Sequence, residues 1–250
     1  GIGWVLSRKE KEAIDAKFFA TKIRNAAEKR AEFFASEETS AFRVFNGEGD
    51  GIGGLTIDFF NGLYMVSWYS EGIYSFREDI YAALKQAVNT RGIYEKLRFN
   101  TNGQYIEKDD YVSGEKGEFP LIVQENGMNY AVDLNDGAMT GIFLDQRDVR
   151  KALRDRYSSD RTVLNTFSYT GAFSVAAALG GAAGTTSVDL AKRSLAKTIE
   201  QFSVNGIDFE SQDIKVMNVF EYFSYAARKG LAFDVVVLDP PSFARFKGFS

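Results

Sequence analysis

Between Thr162 and Pro241, polar residues recur at the ends of short apolar runs, where a bound nucleoside would need them. The run Thr162 to Asn165 enters the turn Thr166-Phe167-Ser168-Tyr169-Thr170-Gly171, and a small-residue stretch from Ala172 to Leu179 follows. A second run, Thr185 to Val188, ends on Asp189, 18 residues beyond Gly171. An acid about 20 residues past such a turn is spaced to take ribose hydroxyls. Aspartate is equally a favoured helix N-cap, and the spacing leaves both readings open. Pyrophosphate requires close backbone approach at several points, so a turn whose one glycine is Gly171 favours a ligand without phosphates there. S-adenosylmethionine is such a ligand, with its amino-acid end beside the turn and its ribose on the acid.

The last apolar run, Phe233 to Leu238, closes on Asp239-Pro240-Pro241-Ser242-Phe243. Two consecutive prolines lack N–H donors and fix their own backbone, so this turn presents rigid carbonyls and a carboxylate. Those acceptors suit the amino group of a nucleobase, with Phe243 free to stack on its face. Asp-Pro-Pro is also an ordinary turn sequence. Upstream, Gly141 to Arg150 opens a helix expected to reach about Tyr157. Arg147 could clamp a carboxylate with two parallel hydrogen bonds, or belong to a surface charge lattice in which Asp148 and Lys151 pair at i,i+3.

These positions need a scaffold, and the runs supply one. Strands at Thr162 to Asn165, Thr185 to Val188, Ile214 to Met217 and Phe233 to Leu238 alternate with helical stretches, the pattern of a parallel α/β sheet with ligands beyond its carboxyl ends. An apolar run such as Val235 to Leu238 is normally buried on both faces, so something further along the protein is expected to help to cover it. Residues 39–118 differ in texture. Strand-like runs at Phe42 to Phe45, Leu55 to Phe60 and Leu63 to Trp68 surround the hairpin turn Asn61-Gly62, and a helix follows from about Ser75 to Val88. A second hairpin is expected around Glu125-Asn126-Gly127-Met128. Gly49-Asp50-Gly51-Ile52-Gly53-Gly54 matches G-x-G-x-x-G, but a strand pattern follows it, so no helix N-terminus is available to cradle phosphate. The glycines read as a connection between strands.

Composition narrows the chemistry further. The 250 residues contain no cysteine and no histidine, which excludes disulfides, thiolate or histidine metal sites and serine–histidine triads from this chain. No run of about 18 apolar residues appears and no signal peptide is evident, so a soluble, cytoplasmic protein without a metal site is expected. The net charge is −4, yet residues 8–30 hold eight basic and four acidic side chains. With Ile14, Phe18, Phe19 and Ile23 at helical spacing, that segment is an amphipathic helix whose basic face is either merely solvated or turned towards RNA.

The string Asn165 to Ser174, with Thr140-Gly-Ile-Phe-Leu-Asp-Gln-Arg147 before it and Asp239 to Phe243 after it, resembles the S-adenosylmethionine-dependent ribosomal RNA large-subunit methyltransferases related to the 5-methylcytosine enzyme. The resemblance implies a Rossmann-like methyltransferase domain over residues 119–250, preceded by a small α+β central domain over 39–118. It makes residues 1–38 the end of an RNA-binding PUA domain plus a linker helix, with Gly1 to Leu6 similar to that domain's last strand. On this template the record is partial at both ends. Cofactor contacts are implied at Phe143, Asp145, Gln146, Arg147, Asn165, Phe167, Ser168, Thr170, Gly171 and Asp189. Asn218 is implied beside the adenine, where the family has aspartate. Asp239, Pro240 and Pro241 are implied at the catalytic end, with Ser242 and Phe243 against the substrate base. The partner implied is large-subunit ribosomal RNA, with room for a homodimer and no role for a membrane. Cytosine carbon-5 is the implied target, and the family's cysteine nucleophile lies beyond Asp-Pro-Pro, past the last residue here. Methylation of a guanine nitrogen, which needs no cysteine, and a non-catalytic RNA-binding relative are the alternatives.

Overall fold

The computed structural model describes residues 3–99 and 110–241, which fall into two compact units. The first comprises residues 1–127 and 132–144, the second 128–131 and 145–250.

In the first unit, helix α1 (Ala16–Glu28) is capped by Asp15, whose carboxylate accepts the Phe18 N–H at 2.9 Å. The short α2 (Ala31–Phe34) follows, then strands β1 (Ala41–Asn46), β2 (Leu55–Phe60) and β3 (Leu63–Trp68). Asn61 and Gly62, both with positive φ, make the two-residue turn that pairs Phe60 with Leu63. Helices α3 (Glu71–Tyr74) and α4 (Arg77–Ala87) then carry the chain to β4 (Gly92–Leu97), parallel to β3, and β5 (Tyr111–Gly114) closes a sheet ordered β1-β2-β3-β4-β5. β3 is buried at every position, as the middle strand of such a sheet should be, and Val66 and Trp68 share a core with Phe19 and Ile23 of α1 and Ile80 and Leu84 of α4. Beyond β6 (Leu121–Glu125), Asn126 and Gly127 again take positive φ and turn the chain into β7 (Met128–Val132).

Residues 3–6 carry no strand, contrary to the expectation for Gly1 to Leu6; residues 1 and 2 lie outside those described. Trp4 packs instead on the glycine-rich connection. A Cβ on Gly53 would stand 2.1 Å from the Trp4 indole Nε1, so the glycine is required by close approach of a ring. The G-x-G-x-x-G string is thus a seat for tryptophan between a 3₁₀ turn and β2, with no helix after it.

In the second unit, α5 (Arg147–Ala152), β8 (Thr162–Thr166), α6 (Ala172–Leu179), β9 (Gly184–Asp189), α7 (Arg193–Ser203), β10 (Asp213–Val216), α8 (Val219–Lys229) and β11 (Val235–Leu238) form a parallel sheet of order β10-β9-β8-β11. Consecutive residues of β8 point to opposite faces: Val163 packs with Leu153 and Ala177, Leu164 with Val219, Tyr222 and Ala226. Helices therefore cover both faces, which makes the unit an α/β, Rossmann-like layer structure. The order runs outward from β8 to β10 and then reverses to β11, so the switch point lies beside β8.

One expectation needs correction. The helix foreseen from Gly141 to Tyr157 is broken into a 3₁₀ turn (Leu144–Gln146), α5 and a π turn (Leu153–Tyr157). The buried Ser158 hydroxyl, donating to the Leu153 carbonyl at 2.7 Å, holds the widened turn. In β11, Val235 and Val237 pack inward, whereas Val236 and Leu238 are exposed.

Candidate ligand site at the strand ends

Parallel register brings the carboxyl ends of the four strands to one edge. Thr166 pairs with Val188 and with Leu238, and Val216 pairs with Asp189. The turn after β8, Asp189, Asn218 and Asp239 accordingly leave the sheet on the same side. The Thr166 hydroxyl donates to the Val237 carbonyl at 2.8 Å and ties β8 to β11 at this edge.

The turn is conformationally costly. Phe167 and Tyr169 have φ of 53° and 52°, and Gly171 has 80°. Left-handed backbone at non-glycine residues costs of order 1–3 kcal/mol each and persists only where the surroundings impose it. Three contacts do so. The Ser168 N–H donates to Val188 O (3.0 Å), the Gly171 N–H to Ser168 O (2.7 Å), and the Tyr169 N–H to Asp189 Oδ2 (2.8 Å). Gly171 is doubly required, because a Cβ there would stand 2.6 Å from Thr198 Cγ2 of α7.

Asp189 is not a helix N-cap. Its Oδ1 accepts the Ala191 N–H at 2.8 Å, a local turn at the strand end, and α7 begins only at Arg193. One carboxylate thus fastens the turns after β8 and β9. A carboxylate has about four acceptor positions, so capacity remains for the hydroxyls of a ligand. The capping role falls to Asn218, whose Oδ1 accepts the Phe220 N–H at 2.8 Å and starts α8. The Met217 N–H donates to the Asp189 carbonyl at 2.9 Å, so the third strand end is stitched to the second.

Asn165 lies beneath this surface. Its amide donates to Ser174 Oγ at 3.0 Å, Ser174 and Ser187 share a hydrogen bond of 2.6 Å, and all three are buried. Ser168 and Thr170 are also buried. On the open side stand two apolar residues that sequence reasoning passed over. Leu190, next to Asp189, is exposed, and Phe220 is 67% exposed with its ring edge-on to Phe167 at 6.4 Å. The available signal was an apolar residue one or two positions after each polar strand end.

Arg147 begins α5, with Asp145 and Gln146 in the preceding 3₁₀ turn; Phe143 is exposed and belongs to the first unit. Arg147 Nε lies 3.4 Å from Asp148 Oδ1. The expected Asp148–Lys151 pair does not form, because Lys151 reaches one turn on to Asp155, which Arg154 also binds at 2.7 Å. Hydrogen bonds from Arg154 and then Lys151 hold the Asp155 carboxyl down at about 2. Asp239, Pro240 and Pro241 are exposed just past β11. Ser242 and Phe243 lie outside the described residues. No group of three or more acids among the described residues could hold a metal ion.

An edge with a strained, single-glycine turn, an acid with spare acceptors and exposed apolar side chains fits a nucleoside carrying no phosphate there. Residues 43–249 match the family described as "S-adenosylmethionine-dependent methyltransferase". The Bacillus subtilis protein named "Putative ribosomal RNA large subunit methyltransferase YwbD" is 64% identical over 248 residues, covering 99% of this chain and 63% of that protein. "Ribosomal RNA large subunit methyltransferase I" of Pseudoalteromonas translucida is 35% identical over 242 residues, covering 96% of this chain and 61% of that protein. The chain therefore spans about three fifths of the length of these relatives. Among solved structures, the one titled "Crystal structure of SMU.776, a putative methyltransferase complexed with SAH" superposes with a TM-score of 0.91 at 45% identity, covering 98% of this chain and 63% of that one. A second, described as a SAM-dependent methyltransferase from Streptococcus mutans, gives 0.89 at 45% identity, covering 96% and 62%.

Proposed function

Because the chain belongs to the S-adenosylmethionine-dependent methyltransferase family, we propose that it binds S-adenosylmethionine at the carboxyl edge of β8, β9 and β10 and methylates a base of large-subunit ribosomal RNA. The observation that carries this reading is the Asp189 carboxylate, fixed by Tyr169 and Ala191 at 2.8 Å each and still able to accept. In this reading Asp189 takes the ribose hydroxyls, Leu190 and Phe220 flank the adenine beside Asn218, and the Phe167 to Gly171 turn faces the amino-acid end, whose carboxylate Arg147 clamps. Asp145 and Gln146, which precede Arg147, and Phe143 are assigned to the cofactor on the family resemblance. Asn165 acts from below, by holding Ser174 and with it the start of α6.

When bound, the cofactor supplies an electrophilic methyl group. The chain's own contribution is positioning, since displacement requires the accepting atom nearly in line with the bond that breaks. Asp239 and the Pro240 carbonyl offer acceptors to an exocyclic amino group, on a backbone that Pro240 and Pro241 hold stiff, and the family resemblance assigns Ser242 and Phe243 to the substrate base. Cytosine carbon-5 is the target we assign, following the family resemblance. That chemistry takes a thiolate nucleophile, and the 250 residues contain no cysteine. A second reading is methylation of a guanine nitrogen, which needs no cysteine and in which Asp239 and the Pro240 carbonyl would orient the accepting group.

Among the described residues no helix is long and apolar enough to cross a membrane. We place the protein in the cytoplasm with its ribosomal RNA, and assign no metal. Transfer of labelled methyl groups to unmodified ribosomal RNA, followed by mapping of the base, tests the proposal. Absence of S-adenosylmethionine binding would end it.

A further inference from the structure

In the first unit, the backbone of residues 51–54 meets three residues from separate parts of the sequence, Trp4 and Lys22 through their side chains and Tyr69 through its backbone. The Trp4 indole rests on Gly53 and also approaches Gly54, where a Cβ would lie 3.4 Å from its Cζ3. The Tyr69 N–H donates to the Gly54 carbonyl at 2.8 Å, so its backbone runs alongside the same residue. The Lys22 ammonium stands 3.4 Å from the position of a Cβ on Gly51 and 5.6 Å from the Phe18 ring centre. Trp4 is 42% and Tyr69 48% exposed, and neither ring packs edge-on or face-on against another among the described residues.

The charge here runs against the rest of the molecule. The chain carries −4 overall, whereas residues 8–30 have twice as many basic as acidic side chains. Lys29 and Arg30 neutralise the buried Asp50, at 3.1 and 2.8 Å, so that carboxylate is already matched. Glu48, exposed, is the other acid of the connection. Among the described residues Lys22 forms no ion pair, and neither do the exposed Arg8 and Lys11 that follow Trp4 in the chain.

We propose that Trp4, Tyr69 and Lys22 form a binding surface for single-stranded RNA. The rings stack on unpaired bases and the ammonium meets the phosphate backbone. Exposed aromatic rings interleaved with unpaired cations suit single strands, because every base has a face to stack and every step a phosphate. An apolar protein partner would be met by a continuous apolar patch without cations. The inference rests on the reading of RNA as substrate, and it adds a contact in the unit that does not carry the cofactor edge.

The test is binding of the chain to a fluorescein-labelled, unstructured RNA 12-mer and to the same sequence as a duplex. Trp4→Ala and Tyr69→Ala should each weaken single-strand binding about tenfold, as loss of a stacked base does, with Trp4→Phe restoring most of it. Lys22→Ala should lower the salt slope by about one. The chain has two tryptophans and Trp68 is fully buried, so RNA should quench Trp4 emission in the native chain and leave Trp4→Phe silent. S-adenosylhomocysteine affinity, measured by calorimetry, should be unchanged in all variants and reports that they are folded. Native RNA binding with unaltered affinity in Trp4→Ala, Tyr69→Ala and Lys22→Ala would overturn the surface while leaving the RNA reading intact. A native chain that binds neither RNA would overturn both, and preference for the duplex would overturn the stacking.

Discussion

The Asp189 carboxylate accepts the Tyr169 backbone N–H at 2.8 Å, across 20 residues of sequence, and so the acid at the end of β9 holds the strained turn at the end of β8. Ligand recognition and loop geometry therefore depend on one side chain. Asp189→Ala removes the acceptor for a ribose and frees the turn together, whereas Asp189→Asn keeps one oxygen for either partner. Loss of a charge-assisted hydrogen bond is worth roughly 1.5–3 kcal/mol, so S-adenosylhomocysteine should bind Asp189→Ala about 10- to 100-fold more weakly, with Asp189→Asn between. Calorimetry giving native affinity for Asp189→Ala would remove Asp189 from the site.

Gly171 and Thr198 make the second prediction. Gly171→Ala meets both a left-handed φ and a methyl contact of 2.6 Å, which together should cost about 2–3 kcal/mol of stability. Thr198 Oγ1 is buried without a hydrogen-bond partner among the described residues. Thr198→Val keeps the shape and removes that orphan, so it should leave stability unchanged or raise it by about 1 kcal/mol. Denaturant unfolding of both variants checks the pair; a Thr198→Val protein that unfolds at markedly lower denaturant would mean that the hydroxyl has a partner.

Asp50 gives the pH dependence. Burial alone would raise its carboxyl, but hydrogen bonds from Arg30, the Asn46 N–H and Lys29 outweigh it and lower the group below its ordinary 3.8. A depressed folded-state value means stability that is present above pH 3.8 and lost as pH falls through the lower folded value. Asp50→Asn should thus be destabilised by about 2 kcal/mol at pH 7, with the gap to the native chain closing below pH 3.8. Melting temperatures across pH 2.5–7 measure it, and a gap that is constant with pH would show that the charge is not what Asp50 contributes.

Much of this was legible in sequence because local rules agreed with the fold. Asn61-Gly62 and Asn126-Gly127 turn as their left-handed preference dictates, and the strand ends of the second unit lie where the apolar runs stop. What stayed hidden depends on atoms far apart in sequence. The glycines at 51–54 look like a nucleotide loop until Trp4 is seen resting on Gly53. Lys96 and Asp110, both about 1% exposed, form a buried ion pair whose ammonium also holds the Gly137 carbonyl at 2.7 Å, and no spacing rule links those three positions. Asp189 and Asn218 each end a strand, and only their hydrogen bonds show that the asparagine caps a helix while the aspartate spans two turns.

The last prediction follows from chemistry the 250 residues do not contain. Carbon-5 of cytosine becomes nucleophilic enough for methyl transfer when a thiolate adds to the ring, and this polypeptide has neither cysteine nor a histidine to assist the later proton removal. The 250-residue polypeptide should therefore bind the cofactor yet form no 5-methylcytosine, and no covalent adduct with 5-fluorocytosine-containing RNA should appear on a denaturing gel. Methylation of an exocyclic or ring nitrogen faces no such barrier, since Asp239 and the Pro240 carbonyl can orient the accepting group by hydrogen bonding. Incubation with labelled S-adenosylmethionine and unmodified large-subunit ribosomal RNA, followed by nucleoside mapping, separates the outcomes. Labelled 5-methylcytosine from these residues alone would contradict the covalent route, and labelled methylguanine would establish the nitrogen chemistry in its place.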